Sequence, residues 1–440
     1  MIKKSFTLIF FVIGFLSFSQ TNSPYSYFGM GDIAENEYVF NTLMSGSGLA
    51  YSDTAKVNRL NPATLSNLSN TALHTGASFK GVNLKNNNNS QKYGDGWLPY
   101  FGIGFPVIKN KLGFSGGLSP LSSSNFTIID SVYEPNIEDV AYLHTGSGRY
   151  YQAFYDLGFQ VLPKKWSGKH RLSIGLGGAY FFGGMEKKAI TEFNDTLHYF
   201  NTRRIEQTYL NDIYWRSGIH YNFSFSEKDD NKMQFGVGLC WDNGKNLDVS
   251  RNIYWDRYKY NSSAIVIKDT VQIIFDESGS IYYPGGYSIG ISLSRISKVN
   301  LGKIAQWHLF ADYKNRKWSN YKYFDESMGL NDSYRLSLGG QFSPRTANQT
   351  KPLHFYFGGY FGEENLFVEN EEVSSFGMSF GIGIPFRELP GKPGNSSILN
   401  IGLTLGKRGS LDAGLIEEQF LKIDLGILMN SRWFIKRKFI

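Results

Sequence analysis

Long segments in which apolar and polar residues alternate constrain this chain more than any other feature. Near the C-terminus, apolar side chains at every second position from Leu421 to Met429 alternate with Lys422, Asp424 and their neighbours. A strand with this pattern has one apolar face and one polar face. The segment is longer than typical soluble strands, so it fits a strand that crosses a membrane with one face against lipid.

The same alternation recurs along the chain and predicts an all-β protein, a transmembrane antiparallel barrel of about 14 strands. Charged residues within these strands must point into the lumen, because charge facing lipid is costly. The predicted strands lie near 71–80, 97–107, 111–119, 150–162, 170–183, 210–226, 233–242, 285–297, 305–317, 333–343, 353–362, 374–386, 396–407 and 419–434.

Short and long connections alternate between these strands, which predicts periplasmic turns at one end of the barrel and extracellular loops at the other. The longest predicted loops are 120–149, 184–209 and 243–284. Within the loops at 184–209 and 243–284, β-branched and aromatic runs such as those at 265–267 and 271–275 predict hairpins that stand above the membrane. A soluble propeller or sandwich is the alternative fold, but no blade repeat of about 40 to 50 residues is present.

Composition supports a barrel over a soluble enzyme. The 440 residues include 48 glycines, 28 tyrosines and 35 phenylalanines, and only 19% are charged. Aromatic girdles and lipid-facing strands account for such a mixture. The net charge of +7 is dispersed through turns, loops and lumen-facing positions, so we expect no nucleic-acid partner.

The N-terminus has the layout of a secretory signal. Lys3 and Lys4 precede an apolar run at 6–18, and the small-x-small pattern of Ser17 to Ser19 follows. We therefore predict a signal peptide at 1–19 and a location in the cell outer membrane of a Gram-negative bacterium. An N-terminal anchor is the alternative, although the run is shorter than the ~20 residues of a spanning helix.

Residues 20–70 do not alternate and include a stretch with helical spacing. A barrel of about 14 strands has a lumen wider than its own side chains fill. We therefore predict that 20–70 forms a partly helical hatch, or plug, in the lumen, and that 71–440 forms the transmembrane barrel.

Three elements of this segment occur in a fixed order: the small-residue stretch at 43–50, the Ser-Asp-Thr-Ala element at 52–55 and the Asn-Pro-Ala turn at 61–65. In these elements the chain resembles the long-chain fatty-acid transporter family of outer-membrane barrels, the FadL/TodX type. Asn61 can cap its own turn, Pro62 fixes φ and Ala63 permits close packing; a turn with no transport role is the alternative. The hatch motif comprises Gly46, Gly48, Asp53, Asn61, Pro62 and Ala63.

The resemblance implies a plugged 14-stranded barrel that captures hydrophobic molecules outside and releases them sideways through the wall. It also implies a kinked third strand, which here is 111–120. Gly116, Gly117 and Pro120 would weaken pairing there, and we expect them to border a lateral opening if the ladder on either side is interrupted. Ordinary packing of glycines is the alternative.

Residue patterns for catalysis and metal binding are absent from the sequence. Cys240 is the single cysteine, and there is no His-Glu-x-x-His, Gly-x-Ser-x-Gly or phosphate-binding loop. We therefore expect no metal, no cofactor and no enzymatic activity, with an outer-membrane protease or lipase as the alternative. His220 and His308 fall on predicted lumen faces, where we expect structural hydrogen bonds.

These observations predict passive uptake of small hydrophobic, fatty-acid-like molecules through a plugged lumen with lateral release. The alternative is a non-transporting barrel subunit of an envelope machine for protein secretion or barrel assembly. Relatives in Bacteroidetes-like organisms have that role, and the signal end at 17–20 and the basic C-terminal tail look like proteins of that group. The expected partners are outer-membrane lipid and lipopolysaccharide, a hydrophobic small molecule and envelope-complex proteins.

Overall fold

The computed structural model describes residues 23–135, 137–162, 169–194, 198–228, 231–261, 264–297, 305–344, 352–368, 371–388, 396–411 and 415–431. The predicted signal peptide and the basic tail lie outside these residues. Among the described residues, no helix reaches the length and hydropathy of a membrane span.

One antiparallel sheet dominates the described residues, and it closes into the predicted 14-strand barrel. Several wall strands consist of two consecutive elements, such as β3 with β4. The elements are β1 (Asp32–Ile33), α1 (Val39–Thr42), β2 (Thr71–Lys85), β3 (Ser90–Trp97), β4 (Phe101–Ile108), β5 (Leu112–Ser123), β6 (Phe126–Glu134), β7 (Glu138–Gln160), β8 (His170–Phe193), β9 (Asn201–Lys228), β10 (Asn231–Asp242), β11 (Lys245–Asn261), β12 (Ala264–Tyr283), β13 (Gly286–Ser297), β14 (Gln306–Arg316), β15 (Lys322–Tyr323), β16 (Glu326–Ser327), β17 (Ser333–Ser343), β18 (His354–Val368), β19 (Glu371–Glu388), β20 (Ser396–Arg408) and β21 (Glu417–Ser431).

The first and last wall strands close the barrel. β2 pairs with β21 over its full length, from Thr71 opposite Ser431 to Lys85 opposite Glu417. The apolar row of β21 predicted to face lipid is exposed, whereas Asp424 of the alternate row is only 1% exposed. The oily rows therefore point outward and the polar rows inward, as the alternation predicts.

Beyond the barrel, six strands form a sheet that we call the outer sheet. It consists of β6, the upper parts of β7, β8 and β9, and the hairpin of β11 and β12, paired in that order. It occupies the predicted loops at 120–149, 184–209 and 243–284. The hairpins predicted at 184–209 and 243–284 are present as β8 with β9 and β11 with β12, whereas the pairing of these hairpins with the strands at 120–149 into one sheet was not predicted. Strands outside the bilayer do not need one apolar face against lipid, so the alternation of apolar and polar residues that identifies the wall strands is lost there.

The segment at 23–70 folds against the inner face of the wall. Its regular structure is limited to the single turn α1, 3₁₀ turns at Pro24–Tyr27 and Pro62–Asn67, and β1. Most of its apolar side chains are buried, among them Tyr38, Leu43, Met44 and Leu65. Because its turns are so short, packing against the wall stabilises it more than helix propensity does.

Candidate functional site

Glycines on the inner face of the wall allow the N-terminal segment to approach the strands at backbone distance. A Cβ on Gly175 would lie 2.2 Å from the Ala63 nitrogen, and one on Gly113 would lie 2.1 Å from the Leu65 oxygen. Each of twelve wall strands carries a glycine at which a Cβ would lie within 3 Å of a backbone or side-chain atom of the segment, and we call these twelve glycines the glycine ring. Its members are Gly104, Gly113, Gly158, Gly175, Gly218, Gly238, Gly290, Gly339, Gly358, Gly381, Gly402 and Gly426.

The Asn-Pro-Ala turn packs on this ring. The Asn61 side-chain oxygen accepts a hydrogen bond from the Ala63 nitrogen at 3.0 Å, and its amide donates to the Ile219 carbonyl of β9 at 2.9 Å. Pro62 begins the 3₁₀ turn, as expected of a residue with fixed φ. A Cβ on Gly218 would lie 2.4 Å from the Asn61 oxygen, so the turn and the wall are matched in shape.

Replacing Asn61 tests how much this turn contributes. Asn61→Ala removes both the cap and the bond to β9, and we expect it to lower the free energy of unfolding by about 1–2 kcal/mol. Urea titration of the folded barrel in lipid vesicles would measure the loss. Asn61→Ser keeps a capping oxygen and should recover about half of it; equal losses in both variants would contradict the capping role.

The glycine-rich stretch binds a wall carboxylate with backbone groups. Gly48 and Leu49 each donate their N–H to the same Asp312 oxygen of β14, both at 2.7 Å. Gly46 and Gly48 have positive φ values of 76° and 109°, which favour glycine. Asp53 makes only local bonds, accepting from Tyr51 and from the Ala55 nitrogen. The predicted motif therefore lies on the wall through its glycines and Asn61, and not through Asp53.

Acidic residues at 32–37, a stretch that we call the acidic strap, pair with basic residues of the wall. Asp32 pairs with Arg408 at 2.8 Å, and Glu37 pairs with Lys314 at 3.4 Å. Glu35 lies between Arg335, with which it forms a close ion pair, and Lys422. The strap crosses the lumen held at three points by opposite charges.

Neighbouring charges act in opposite directions on two strap carboxyls. Burial raises the pKa of Glu35, but Arg335 and Lys422 outweigh burial and hold that pKa well below its usual range. Burial and the adjacent Glu35 charge raise the pKa of Glu37. The strap therefore combines one firmly ionised carboxylate with one that holds its proton more strongly.

The wall has an unpaired seam between its second and third strands. β4 pairs with β5 only up to Phe101 opposite Leu118, and in the described residues β3 pairs with β2 alone. The part of β5 beyond Leu118 therefore has no wall partner on that side. β1 of the strap takes a short part of this edge, with Asp32 opposite Ser123.

Of the residues expected to border a lateral opening, Pro120 lies at this seam, whereas Gly116 and Gly117 do not. Gly116 and Gly117 are paired with both β4 and β7. The ladder is therefore continuous through these two glycines, and it does not support a lateral opening there. Pro120 lies beyond the last pair with β4 and lines the cavity at the seam. The break is therefore in the second strand, where residues 98–100 separate β3 from β4.

A cavity of about 300 Å³ lies at the seam between the strap and the wall. Aromatic side chains and basic groups share its lining, and the ammonium of Lys80 lies 4.6 Å from the centre of the Phe420 ring. Trp97 and Pro99 line it from the β3 side of the seam. A second cavity of about 310 Å³ lies across the strap and is lined by charged groups that include Arg59 and Arg316.

Sequence reasoning missed the strap and its partners. The signal was present as three acids within six residues ahead of the barrel and as basic residues at lumen-facing strand positions such as 335 and 422. The two histidines behave as expected, because His220 bonds the Ala50 carbonyl and His308 bonds Ser294. Among the described residues, no group of His, Cys, Asp or Glu side chains could hold a metal.

A family model described as BamG matches residues 1–440, the whole chain. The chain belongs to the BamG family. No curated protein matches it.

Solved structures show the fold that this BamG-family barrel shares. The Pseudomonas putida toluene transporter TodX is 13% identical with a TM-score of 0.51, and the match covers 91% of this chain and 99% of that one. The Ralstonia pickettii toluene transporter TbuX is 11% identical with a TM-score of 0.51, over 90% and 98% of the two chains. The CymD monoaromatic hydrocarbon channel is 13% identical with a TM-score of 0.50, over 92% and 99%. These neighbours are described as transporters and a channel, and at this identity the likeness shows a shared fold.

Proposed function

We propose that this BamG-family barrel lies in the cell outer membrane and takes up small hydrophobic molecules passively. The observation that carries the proposal is the unpaired seam, because it lies against a cavity enclosed by the strap and the wall. A break in the ladder gives a molecule a route through a wall that hydrogen bonds otherwise close. The fold shared with the toluene transporters supports this assignment.

The position of the seam along the membrane normal supports lateral release into the bilayer. Residues of β2 opposite β3 also pair with the upper part of β21, where Phe79 is opposite Ile423. Ile423 faces lipid, so the lower end of the seam lies at the level of the hydrophobic belt. A molecule that leaves the cavity there enters hydrocarbon and not water.

The cavity lining suits a molecule with an apolar body and an anionic head. Tyr25, Tyr100 and Tyr360 supply apolar ring surface, while Arg408 and Lys422 supply positive charge. Strap carboxylates already hold these two cations, so an incoming carboxylate has to compete with them. Fatty-acid-like molecules are the proposed substrates, and the segment at 23–70 is the plug that separates the cavity from the rest of the lumen.

Bridging the seam tests the proposal. Cysteines replacing Asp95 and Pro120, both of which line the cavity, would be joined by a reducible bifunctional reagent in a Cys240→Ser background. We expect uptake of a fluorescent fatty acid into vesicles that contain the barrel to fall roughly tenfold on bridging, as for other gated steps, and to recover on reduction.

A matched bridge between strands that are already paired provides the control. Gly359 of β18 lies opposite Met378 of β19, so a bridge there adds no new restraint to the wall. Uptake should be unchanged by this second bridge. If the unbridged barrel retains no ligand in native mass spectrometry and moves none, the uptake proposal fails, and the alternative of a subunit that transports nothing takes its place.

A further inference from the structure

The second cavity, which lies across the strap from the seam, is lined by five basic side chains. Four of them form ion pairs: Arg216 with Asp156, Lys314 with Glu37, Arg316 with Asp242 and Arg335 with Glu35. Arg59 is the fifth, and it forms no ion pair with any carboxylate that the structure describes. Because a buried cation without a counter-ion is costly, the charges around this cavity favour one more anion.

The Arg59 guanidinium has one edge that no described residue fills. Arg59 is only 3% exposed, and its Nη1 donates to the Ser119 hydroxyl at 2.8 Å, whereas its buried Nε–H has no acceptor among the described residues. Arg216 uses the corresponding edge, Nε and Nη2, to bind Asp156. Since a carboxylate accepts two parallel hydrogen bonds from such an edge, Arg59 is suited to bind one.

Contacts around Arg59 hold it in place. Its guanidinium carbon lies 3.7 Å from the centre of the Phe154 ring, and this stacking leaves the N–H groups at the edges of the guanidinium free to donate. The preceding Asn58 donates its amide to the Gly48 carbonyl at 2.7 Å, and its oxygen accepts from the Leu60 nitrogen at 3.2 Å. Arg59 is therefore preorganised, which lowers the entropic cost of binding a ligand.

The charge of Arg59 indicates a singly charged ligand. Burial and the nearby Arg216 charge lower the pKa of Arg59 to about 10, so the guanidinium stays protonated at neutral pH. Asp156 offsets this charge only in part, because both of its oxygens already accept from Arg216. A monoanion would balance the one remaining cation, whereas a doubly charged phosphate would exceed it.

The lining of the cavity also has an apolar part. It includes Leu60, Leu121, Phe154 and Phe181. The cavity has a volume of about 310 Å³, and a cavity of about 150 Å³ is large enough to bind benzene. The ligand therefore has room for a compact apolar body of one ring or a short chain in addition to its carboxylate.

We propose that the cavity across the strap binds a small monocarboxylate, whose oxygens accept hydrogen bonds from Arg59 while its compact apolar body packs against Phe154, Leu121 and Phe181. The site goes beyond the uptake proposal and does not depend on it. Arg59 does not line the seam cavity, so a ligand can bind here whether or not a substrate passes through the seam.

Equilibrium dialysis of benzoate against the folded barrel in a non-ionic detergent tests the inference. We expect one benzoate per barrel, bound roughly tenfold or more tightly than benzamide, a neutral molecule of the same shape. Arg59→Gln should lower the affinity for benzoate by a similar factor and leave that for benzamide little changed. Arg59→Lys should give an intermediate affinity, because lysine keeps the charge but cannot donate two parallel bonds.

Arg171→Gln provides a matched control. Arg171 also forms no ion pair with a carboxylate in the part of the chain that the structure describes, and it donates to the Ser66 carbonyl of the N-terminal segment at 3.0 Å. It does not line this cavity, so its replacement should leave the affinity for benzoate unchanged. A heat-modifiability assay on gels would establish that each variant still forms the closed barrel.

Three results would overturn the inference. Equal affinities of the unaltered barrel for benzoate and benzamide would do so without any variant, and so would the absence of saturable benzoate binding. Binding that persists in Arg59→Gln but is lost in Lys422→Gln would place the acid in the seam cavity instead. Failure of the uptake proposal would be seen separately, because bridging the seam should leave the affinity for benzoate at equilibrium unchanged.

Discussion

Gly358→Ala is expected to displace the N-terminal segment from the wall. A Cβ there would lie 2.5 Å from the Met44 carbonyl carbon and 2.9 Å from the Leu338 oxygen, both backbone atoms that cannot rotate aside. Overpacking of this kind costs about 1–3 kcal/mol. The loss would be measured by urea titration in lipid vesicles, and displacement of the segment by its rate of cleavage with added protease.

The neighbouring glycine provides a matched control. A Cβ on Gly359 would meet only the Gly377 oxygen, at an ordinary 3.7 Å, so Gly359→Ala should change the free energy of unfolding by less than about 0.5 kcal/mol. Combining Gly358→Ala with Gly175→Ala, which meets the turn at Pro62 and Ala63 instead of Met44, should add a further loss, because distant sites with no shared partner are nearly additive. Similar behaviour of Gly358→Ala and Gly359→Ala would show that the glycine ring does not determine the close approach.

The barrel wall could be predicted from sequence because apolar and polar residues alternate in each membrane-crossing strand, and this alternation shows which face contacts lipid and which faces the lumen. In β20, Leu403 and Leu405 are exposed while Asn400 and Thr404 are buried, as their alternation predicts. In the outer sheet, the alternation does not show which side chains are buried. There Tyr258 is buried on the same face of the hairpin on which Ile267 is exposed, because the covering residues come from distant strands.

The seam and the glycine ring depend on long-range pairing that local sequence does not encode. Glycines at 116 and 117 look like a weak point, yet Gly117 has its neighbours in place on both sides. The break in the ladder begins beyond Leu118 of β5, because its last partner in the second wall strand is Phe101, the first residue of β4 after residues 98–100. Prolines at 99 and 120 flank it and were the available local signal, since proline is confined to edges and breaks in sheets. A ring glycine such as Gly175 cannot be told from any other strand glycine until the segment that contacts it is placed.

Asp312→Ala is expected to be among the most damaging single substitutions in the lumen. β14 lacks a ring glycine and holds the segment with this carboxylate, which is only 1% exposed and accepts the N–H groups of Gly48 and Leu49. Removing it leaves two buried donors without a partner, at a cost of about 1–3 kcal/mol each. Urea titration should therefore show a loss of roughly 2–5 kcal/mol, with faster cleavage of the segment.

Asp312→Asn separates the loss of hydrogen bonds from the loss of charge. The amide keeps one oxygen that can accept from Gly48 and Leu49, so this variant should lose clearly less than Asp312→Ala. The reason is geometric, because the positive φ of Gly48 turns two successive N–H groups toward one acceptor. The oxygen of a carboxylate or of a side-chain amide can occupy that position. If Asp312→Asn is as unstable as Asp312→Ala, the carboxylate acts through its charge, and the backbone nest at 48–49 does not anchor the segment.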